Sequence, residues 1–325
     1  MSDEESGWHL TESDPAVFSE LLKALGVPLI VDDLYSLDPD SLASLQPLHA
    51  LIFLFKWLPS AASEPDPSSI AQPDPDFPGF FAHQTVNNAC ATLAVVNALG
   101  NIPSLQTGPQ FAQLLNFTQG LDPQMRGIVI TSSDWLREAH NSLSPPSAIS
   151  LDGLGLPKTG EDAYHFIVYM PAMGCVYELD GLQQFPIRHA PYEDKGEGWL
   201  AKAREVVEAR IATYPPGSLE FSLLALHDDP LPSLQSRLKV LQESGKGNDS
   251  EAAEIIVKLS TESAKRERWA FENSVRKHNH LGLIHALLLT LAKSGKLEGA
   301  TEKAREVMKE RIQKRKEAGM EVDDD

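Results

Sequence analysis

Gln84-Thr-Val-Asn-Asn-Ala-Cys90-Ala-Thr-Leu-Ala-Val-Val-Asn-Ala-Leu99 is the stretch on which the reading of this chain turns. A cysteine opens a run that is apolar on nearly every side, and two asparagines precede it. Asparagine is a favoured helix N-cap, so Asn87 or Asn88 is expected to open a helix with Cys90 in its first turn. A helix with so little polar face belongs inside a large core. The unpaired N–H groups and positive dipole end at its head favour a thiolate over a thiol. Cys90 is therefore a candidate nucleophile.

The rest of the composition limits what can surround it. The chain has 325 residues, room for one large domain with an extension or for two domains. Cysteine occurs twice, at Cys90 and Cys175, which argues against a disulfide framework and fits a reducing compartment. The start, Met-Ser-Asp-Glu-Glu, is acidic and no apolar region follows, so no secretory leader is expected. The longest greasy stretches, residues 48–58 and 281–291, are too short to span a bilayer, so no membrane partner is expected either. The predicted location is cytoplasm and nucleus. Net charge is −18, and it is unevenly spread: residues 1–228 hold 10 Lys and Arg against 29 Asp and Glu, while residues 229–325 hold 18 against 17. So acidic a first part suits a basic partner and excludes nucleic acid, although solubility alone accounts for the charge equally well.

Punctuation and periodicity outline the elements. Asp14-Pro15 opens a helix over residues 14–25. Residues 31–37 are ambiguous, and residues 49–57 (HALIFLFKW) read as a buried strand. The proline-rich stretch 59–78 excludes helix and central strand. Helices are expected over 110–117 and 132–141. Residues 142–163, rich in Ser, Pro and Gly, form a loop long enough to be a lid or binding loop. Tyr164–Tyr169 and Cys175–Leu179 read as two strands of a hairpin, residues 198–214 as an amphipathic helix, and residues 219–226 as a last strand. Beyond Asp228-Asp229-Pro230 the chain becomes helical with dense mixed charge, over 231–243, 251–276 and 281–294. The domain boundary is placed at 228, giving a first domain of residues 1–228 and a helical extension of 229–325.

The hairpin carries the rest of the chemistry. A two-residue turn at Ala172-Met173 sets His165 directly opposite Asp180, within reach of an imidazole–carboxylate hydrogen bond. Cys175 faces the other side of the sheet and reads as a core residue. Cys, His and Asp together support thiol acyl chemistry: His165 takes the thiol proton, Asp180 fixes the imidazole tautomer, and Cys90 attacks a carbonyl. By this reading Asp180→Asn cuts turnover by orders of magnitude through the wrong tautomer. Gln84, six residues before the cysteine, has an amide that can join the Cys90 N–H in donating to an oxyanion. Neither HExxH nor a CxxC pair occurs, and His278, His280 and His285 lack a carboxylate or thiol pattern, so no metal and no cofactor are expected.

Taken in order, Gln84…Asn88-Ala-Cys90, then Ala163-Tyr-His165-Phe-Ile-Val-Tyr169, then Tyr177-Glu-Leu-Asp180-Gly-Leu182, resemble the ubiquitin C-terminal hydrolase family of cysteine deubiquitinases. Trp8-His-Leu-Thr-Glu-Ser-Asp-Pro15 and Leu51-Ile-Phe-Leu-Phe-Lys-Trp57 resemble further segments of it, so that the likeness covers about residues 7–228. The resemblance implies a papain-like α/β (α+β) fold, with a central sheet flanked by helices and a knotted chain path. It implies Cys90 as nucleophile, His165 as base and acid, Asp180 as its orienting partner, Gln84 as oxyanion donor, and hydrolysis after the last glycine of ubiquitin. Residues 142–163 correspond to the family's active-site crossover loop. The helical extension, with Arg276-Lys-His-Asn-His280, resembles the proteasome-associated branch, whose extension binds a ubiquitin-receptor subunit. The Asp323-Asp-Asp325 end matches that branch only loosely. Ubiquitin's basic recognition face suits the acidic first domain. The competing readings are a non-catalytic ubiquitin-binding scaffold, of the proteasome or of a chromatin complex, and another thiol acyltransferase on the same fold. The first would have lost Cys90, His165 or Asp180; the second would need a second-substrate site.

Overall fold

Four helices begin with the same two residues. Asp14-Pro15, Asp38-Pro39, Asp122-Pro123 and Asp229-Pro230 each place an aspartate at the N-cap, where its carboxylate accepts a backbone N–H of the first turn, and a proline just inside. The aspartate satisfies an orphan donor, and proline lacks a donor to orphan. The structure, a computed structural model, describes residues 7–56, 71–144, 164–193, 195–214, 221–245, 247, 249–278 and 281–317. The expected loop at 142–163 lies outside them from residue 145 onward, as do residues 59–70 of the proline-rich stretch.

In chain order the elements are α1 (Pro15–Ala24), β1 (Leu29–Asp33), α2 (Pro39–Ser44), β2 (Leu48–Lys56), β3 (Gln72–Pro73), α3 (Cys90–Leu99), α4 (Pro109–Thr118), α5 (Pro123–Thr131) and α6 (Asp134–Asn141). They continue with β4 (Tyr164–Ala172), β5 (Cys175–Leu179), β6 (Ile187–Pro191), α7 (Trp199–Ile211), β7 (Phe221–Asp228), α8 (Pro230–Glu243), α9 (Ser250–Arg276), α10 (Leu281–Lys293) and α11 (Leu297–Glu317). The strands form one seven-stranded sheet, β1-β7-β2-β4-β5-β6-β3, with every neighbouring pair antiparallel. This is the mixed α/β architecture expected, with helices on both sides of a central sheet. The short stretch 31–37 resolves in part into β1, and α2, α5, β6 and α11 are elements the sequence pattern left unmarked.

Both sheet faces are covered, which is why β2 and β4 are apolar at successive positions rather than at alternate ones. On one face Ile52, Val168, Met170 and Leu224 meet α1 and α3. On the other, Phe53, Ile167, Tyr169 and Ala225 meet Leu42 of α2 and Leu200, Ala203 and Val207 of α7. The sheet edges are blunted. Val31 of β1 donates its N–H to Ser19 Oγ at 3.0 Å, and that hydroxyl is 3.3 Å from the Val31 carbonyl oxygen. At the opposite edge β3 is two residues long and contains Pro73.

The chain divides into two compact units, Met1–Pro145 with Thr159–Lys277, and Pro146–Lys158 with His278–Asp325. By packing, the first unit therefore runs past residue 228 to the end of α9. That helix is tied down by Lys265 to Asp32 at 2.9 Å, Arg266 to Asp229 at 2.7 Å, and the Asn273 amide donating to the Ala16 carbonyl at 3.0 Å. Its last residue, Arg276, bridges Glu12 and the α1 cap Asp14. In the second unit α10 ends on Gly295 at φ +68°, with the Lys296 N–H returning to the Leu291 carbonyl at 3.0 Å, a left-handed stop that glycine permits. Leu283, Ile284, Leu287, Leu288 and Leu289 of α10 are exposed.

Candidate active site

The segment leading to Cys90 is laid against the helix that Cys90 begins. Two asparagines one turn apart, Asn97 in α3 and Asn101 just beyond it, hold its backbone as a strand partner would. The Ala82 N–H donates to Asn97 Oδ1 at 2.8 Å, and the Asn97 amide donates to the Ala82 carbonyl at 3.1 Å. Asn101 does the same for Phe80, at 2.8 and 2.7 Å. Residue 82 is thus fixed beside residue 97, and residue 80 beside residue 101, so the segment runs back along α3 toward its start. Farther upstream, Tyr177 of β5 donates its hydroxyl to Asp74 at 2.7 Å. Farther downstream, the His83 N–H reaches the Pro123 carbonyl at 2.9 Å and the Gln84 N–H the Gly181 carbonyl at 2.8 Å. A Cβ at Gly181 would stand 3.1 Å from the Gln84 nitrogen, tighter than an ordinary contact, so the missing side chain eases this approach. Gln84 is thereby fastened to the residue next to Asp180. Its Oε1 is buried and has no hydrogen-bond partner.

Cys90 is the first residue of α3, as expected, but neither asparagine caps the helix. The N-cap is Ala89. Asn88 sits at φ +62°, left-handed backbone that an extended N-cap residue does not adopt and that asparagine tolerates. Its amide turns away from the helix and donates to the Trp8 carbonyl at 3.2 Å.

His165 and Asp180 come together, though not in the predicted register. Ala172 pairs with Cys175, so the turn is Met173-Gly174, two residues at φ +48° and +74°. A two-residue hairpin turn of this hand needs positive φ at both positions, which glycine adopts freely and Ala172 does not. The register is therefore two residues from the one expected, and His165 is not directly opposite Asp180. A shift of two keeps every side chain on its own face. The two residues become diagonal neighbours on the face where they were expected, and Cys175 still faces the other side. The diagonal is bridged: His165 Nε2 lies 2.6 Å from Asp180 Oδ1. That oxygen also accepts the Leu182 N–H at 2.9 Å.

A carboxylate only accepts, so Nε2 carries the hydrogen. Nδ1 is left free of Asp180, and the Cys90 side chain is close enough to favour the charged form of the ring. Both members of the His165–Asp180 pair are nearly excluded from water. Burial works against a charged ring, but the Asp180 hydrogen bond and the Cys90 contact outweigh it and raise the His165 pKa to about 9. On β2, Phe55 is the direct strand partner of His165 and stands edge to face with its ring at 5.8 Å. Arg210 of α7 lies 4.6 Å over the Phe55 ring. The structure thus brings together a buried imidazole and a buried carboxylate, with a cysteine at a helix head close enough to act on the imidazole and the Gln84 backbone bonded beside the carboxylate.

Asn97 and Asn101 are the residues that sequence reasoning passed over, and Asn88 serves as a tie to Trp8 rather than as the expected cap. Asn97 carried a signal, being a polar residue in the middle of an apolar helix, and it is 1% exposed. Among the described residues no group of three His, Cys, Asp or Glu side chains is placed to hold a metal ion.

Comparison with known proteins identifies the family. Residues 8–212 match the model of ubiquitin carboxyl-terminal hydrolase family 1, and residues 252–297 match a second model of ubiquitin carboxyl-terminal hydrolases. The chain is 37% identical to ubiquitin carboxyl-terminal hydrolase ubh-4 of Caenorhabditis elegans, over 94% of this chain and 93% of that protein. It is 30% identical to ubiquitin carboxyl-terminal hydrolase isozyme L5 of Dictyostelium discoideum, over 97% of this chain and all of that one. Among solved structures it is similar to UCH37 of Trichinella spiralis bound to ubiquitin vinyl methyl ester. The TM-score is 0.65 at 31% identity, covering 81% of this chain and 99% of that one. With residues 8–212 matched by the family model and relatives aligned along almost its whole length, the chain belongs to the ubiquitin carboxyl-terminal hydrolases, a family of cysteine deubiquitinases.

Proposed function

We propose that this protein hydrolyses the amide or isopeptide bond after the C-terminal glycine of ubiquitin through an acyl-enzyme on Cys90. The observation that carries the reading is the buried His165 ring, bonded to Asp180 through Nε2 and held in its charged form by Asp180 and Cys90. With the ring charged at neutral pH, the thiol proton already resides on His165, and the Cys90 thiolate attacks the glycine carbonyl. The carbonyl oxygen gains charge, and the Cys90 N–H with the Gln84 amide donate to it; donors of this kind are each worth about 3 kcal/mol in other enzymes. His165 then protonates the leaving amine, water enters, and the same ring acts as base for deacylation. Asp180 keeps the hydrogen on Nε2 throughout.

Ubiquitin vinyl methyl ester, the ligand of the Trichinella relative, tests this directly. Covalent capture of the wild-type chain, mapped to Cys90 and lost in Cys90→Ser, is expected. Tight binding without capture would favour a scaffold instead.

The extension reads as the docking part for a ubiquitin-receptor subunit of the proteasome, with the enzyme acting in cytoplasm and nucleus. Its support is the likeness of this chain to the proteasome-associated branch, together with four exposed leucines and an exposed isoleucine on α10, an apolar patch of the kind that marks a partner surface. Cutting at residue 228 is a poor test, because it removes α9 from α1 and β1. Leu287→Asp with Leu288→Asp in the full chain leaves the first unit intact. Loss of proteasome co-purification from lysate is expected, and unchanged co-purification would dismiss the assignment.

A further inference from the structure

We infer that the N-terminal segment is a two-armed clamp on the nucleophile, in which consecutive carbonyls of Trp8 and His9 hold the chain on either side of Cys90 through Asn88 and Thr92. The inference rests on Cys90 being the nucleophile.

The first arm is short. The Asn88 amide, two residues before Cys90, donates to the Trp8 carbonyl at 3.2 Å. The second arm is a relay. Thr92, two residues after Cys90, lies 2.7 Å from His140 Nδ1, and His140 Nε2 lies 2.8 Å from the His9 carbonyl. A carbonyl only accepts, so Nε2 carries the ring hydrogen, and Nδ1 accepts from the Thr92 hydroxyl. The relay therefore has one direction: Thr92 to His140 to His9. Burial holds His140 neutral by lowering its pKa to about 4, which keeps Nδ1 an acceptor.

The clamp is itself anchored. Trp8 is 1% exposed and its indole donates to the Thr131 carbonyl at 3.2 Å. Its ring stands edge to face with His140 at 4.8 Å. Asn141, next to His140 on α6, accepts the His9 N–H at 3.0 Å and donates to the Gly7 carbonyl at 2.7 Å. Thr11 adds a hydroxyl 3.0 Å from His140 Nε2.

Alone, the first turn of α3 would be poorly fixed. Its cap makes no side-chain hydrogen bond, and the residue before the cap is left-handed. Asn88 and Thr92 bracket that turn, and locking both sets where the Cys90 N–H points and where its sulfur meets His165. They are positioning residues: neither touches the reacting atoms.

The test uses the full chain with Thr92→Val, which keeps shape and removes the hydroxyl; Thr92→Ser, which restores it; and Asn88→Gly, which keeps the left-handed backbone and removes the arm. Two readouts are taken. One is the pH profile of Cys90 alkylation by chloroacetamide, followed by mass spectrometry of the Cys90 peptide. The other is kcat and KM on a fluorogenic ubiquitin C-terminal amide. Thr92→Val and Asn88→Gly are expected to lower kcat about tenfold each, one buried hydrogen bond's worth, with little change in KM. Both should displace the alkylation profile, and Thr92→Ser should return both readouts toward wild type. Wild-type kcat and an unmoved profile in both variants would overturn the clamp. So would a lower melting temperature with kcat and profile intact, since the bonds would then serve the fold alone. Clamp-dependent alkylation in a chain that leaves ubiquitin amides uncut would support the clamp and sink only the hydrolase reading.

Discussion

Replacing Asp180 with asparagine separates two roles of that carboxylate, tautomer and charge. The expectation from sequence is a loss of several orders of magnitude, because an asparagine can turn its NH2 toward the ring and force the hydrogen onto the wrong nitrogen. The structure argues otherwise. Asp180 Oδ1 accepts from both His165 Nε2 at 2.6 Å and the Leu182 N–H at 2.9 Å. An NH2 in that place would set donor against donor at Leu182. The amide is therefore held with its oxygen toward both groups, and His165 keeps its hydrogen on Nε2. What is lost is charge. Hydrogen bonds to charged groups are worth about 1.5–3 kcal/mol and neutral ones about 0.5–1.5, so the difference is about 1–1.5 kcal/mol. That predicts about a tenfold fall in kcat/KM. It also predicts an alkaline limb, set in the wild type by a His165 pKa of about 9, that moves down by about one pH unit. Asp180→Ala, which removes both acceptor and charge, should cost about a hundredfold. The assay is kcat/KM on a fluorogenic ubiquitin amide from pH 5 to 10. A loss near that of a missing nucleophile in Asp180→Asn would mean that the amide flips, and would refute the argument from Leu182. An unmoved alkaline limb would remove the Asp180 charge from the His165 titration.

Four further outcomes follow from the same geometry. Asn97→Ala strands the Ala82 N–H and carbonyl in a dry core and should cost about 2–4 kcal/mol by chemical denaturation, with no loss expected only if water fills the site. Gly127→Ala reverses the usual helix preference for alanine: its Cβ would overlap the His83 carbonyl oxygen, so a loss of about 1–3 kcal/mol and a lower kcat are expected, and a raised melting temperature would contradict the packing. Folding stability should depend on pH through two histidines in opposite senses. His140, lowered to about 4, contributes stability that is full above the ordinary value of 6.5 and is lost as pH falls through that window, whereas His165, raised to about 9, contributes stability that is full below 6.5 and is lost as pH rises. The acid limb should flatten in His140→Gln by up to about 1.4 kcal/mol per pH unit, and an unchanged slope would exclude His140 as its source. Finally, with residues 1–228 at 10 basic against 29 acidic side chains, kcat/KM for ubiquitin conjugates should fall as salt rises from about 20 to about 300 mM, through association rather than kcat.

The elements that the sequence made legible are those with local causes. α1 was readable from Asp14-Pro15, and the buried strand β2 from an apolar run too short for anything else. The helix that Cys90 begins was marked by its own lack of a polar face. β1, α5 and β6 were not legible, because short segments with exposed apolar residues, such as Met125 and Ile128 of α5, carry no clear period and take their form from neighbours. The hairpin shows the boundary between the two kinds of information. Its existence and the faces of His165, Asp180 and Cys175 followed from period-two alternation, which survives a slip of two. Its register depended on which residues accept positive φ, and Gly174 moved the turn.

The candidate site divides in the same way. Residue chemistry and spacing were enough to single out Cys90, His165, Asp180 and Gln84, since thiol, imidazole, carboxylate and amide each admit few roles at a helix head and on one hairpin. Tertiary structure alone decided what holds them. Asn97 and Asn101 lay the Gln84 segment along α3, Gly181 lets Gln84 approach Asp180, Leu182 fixes which Asp180 oxygen meets the ring, and the carbonyls of Trp8 and His9 brace both flanks of the cysteine. Apart from the Leu182 bond, these are hydrogen bonds to backbone groups from segments well separated in the chain. A backbone carbonyl is the same group at every residue, so no side-chain pattern announces which one a distant asparagine or histidine will reach until the chain is folded.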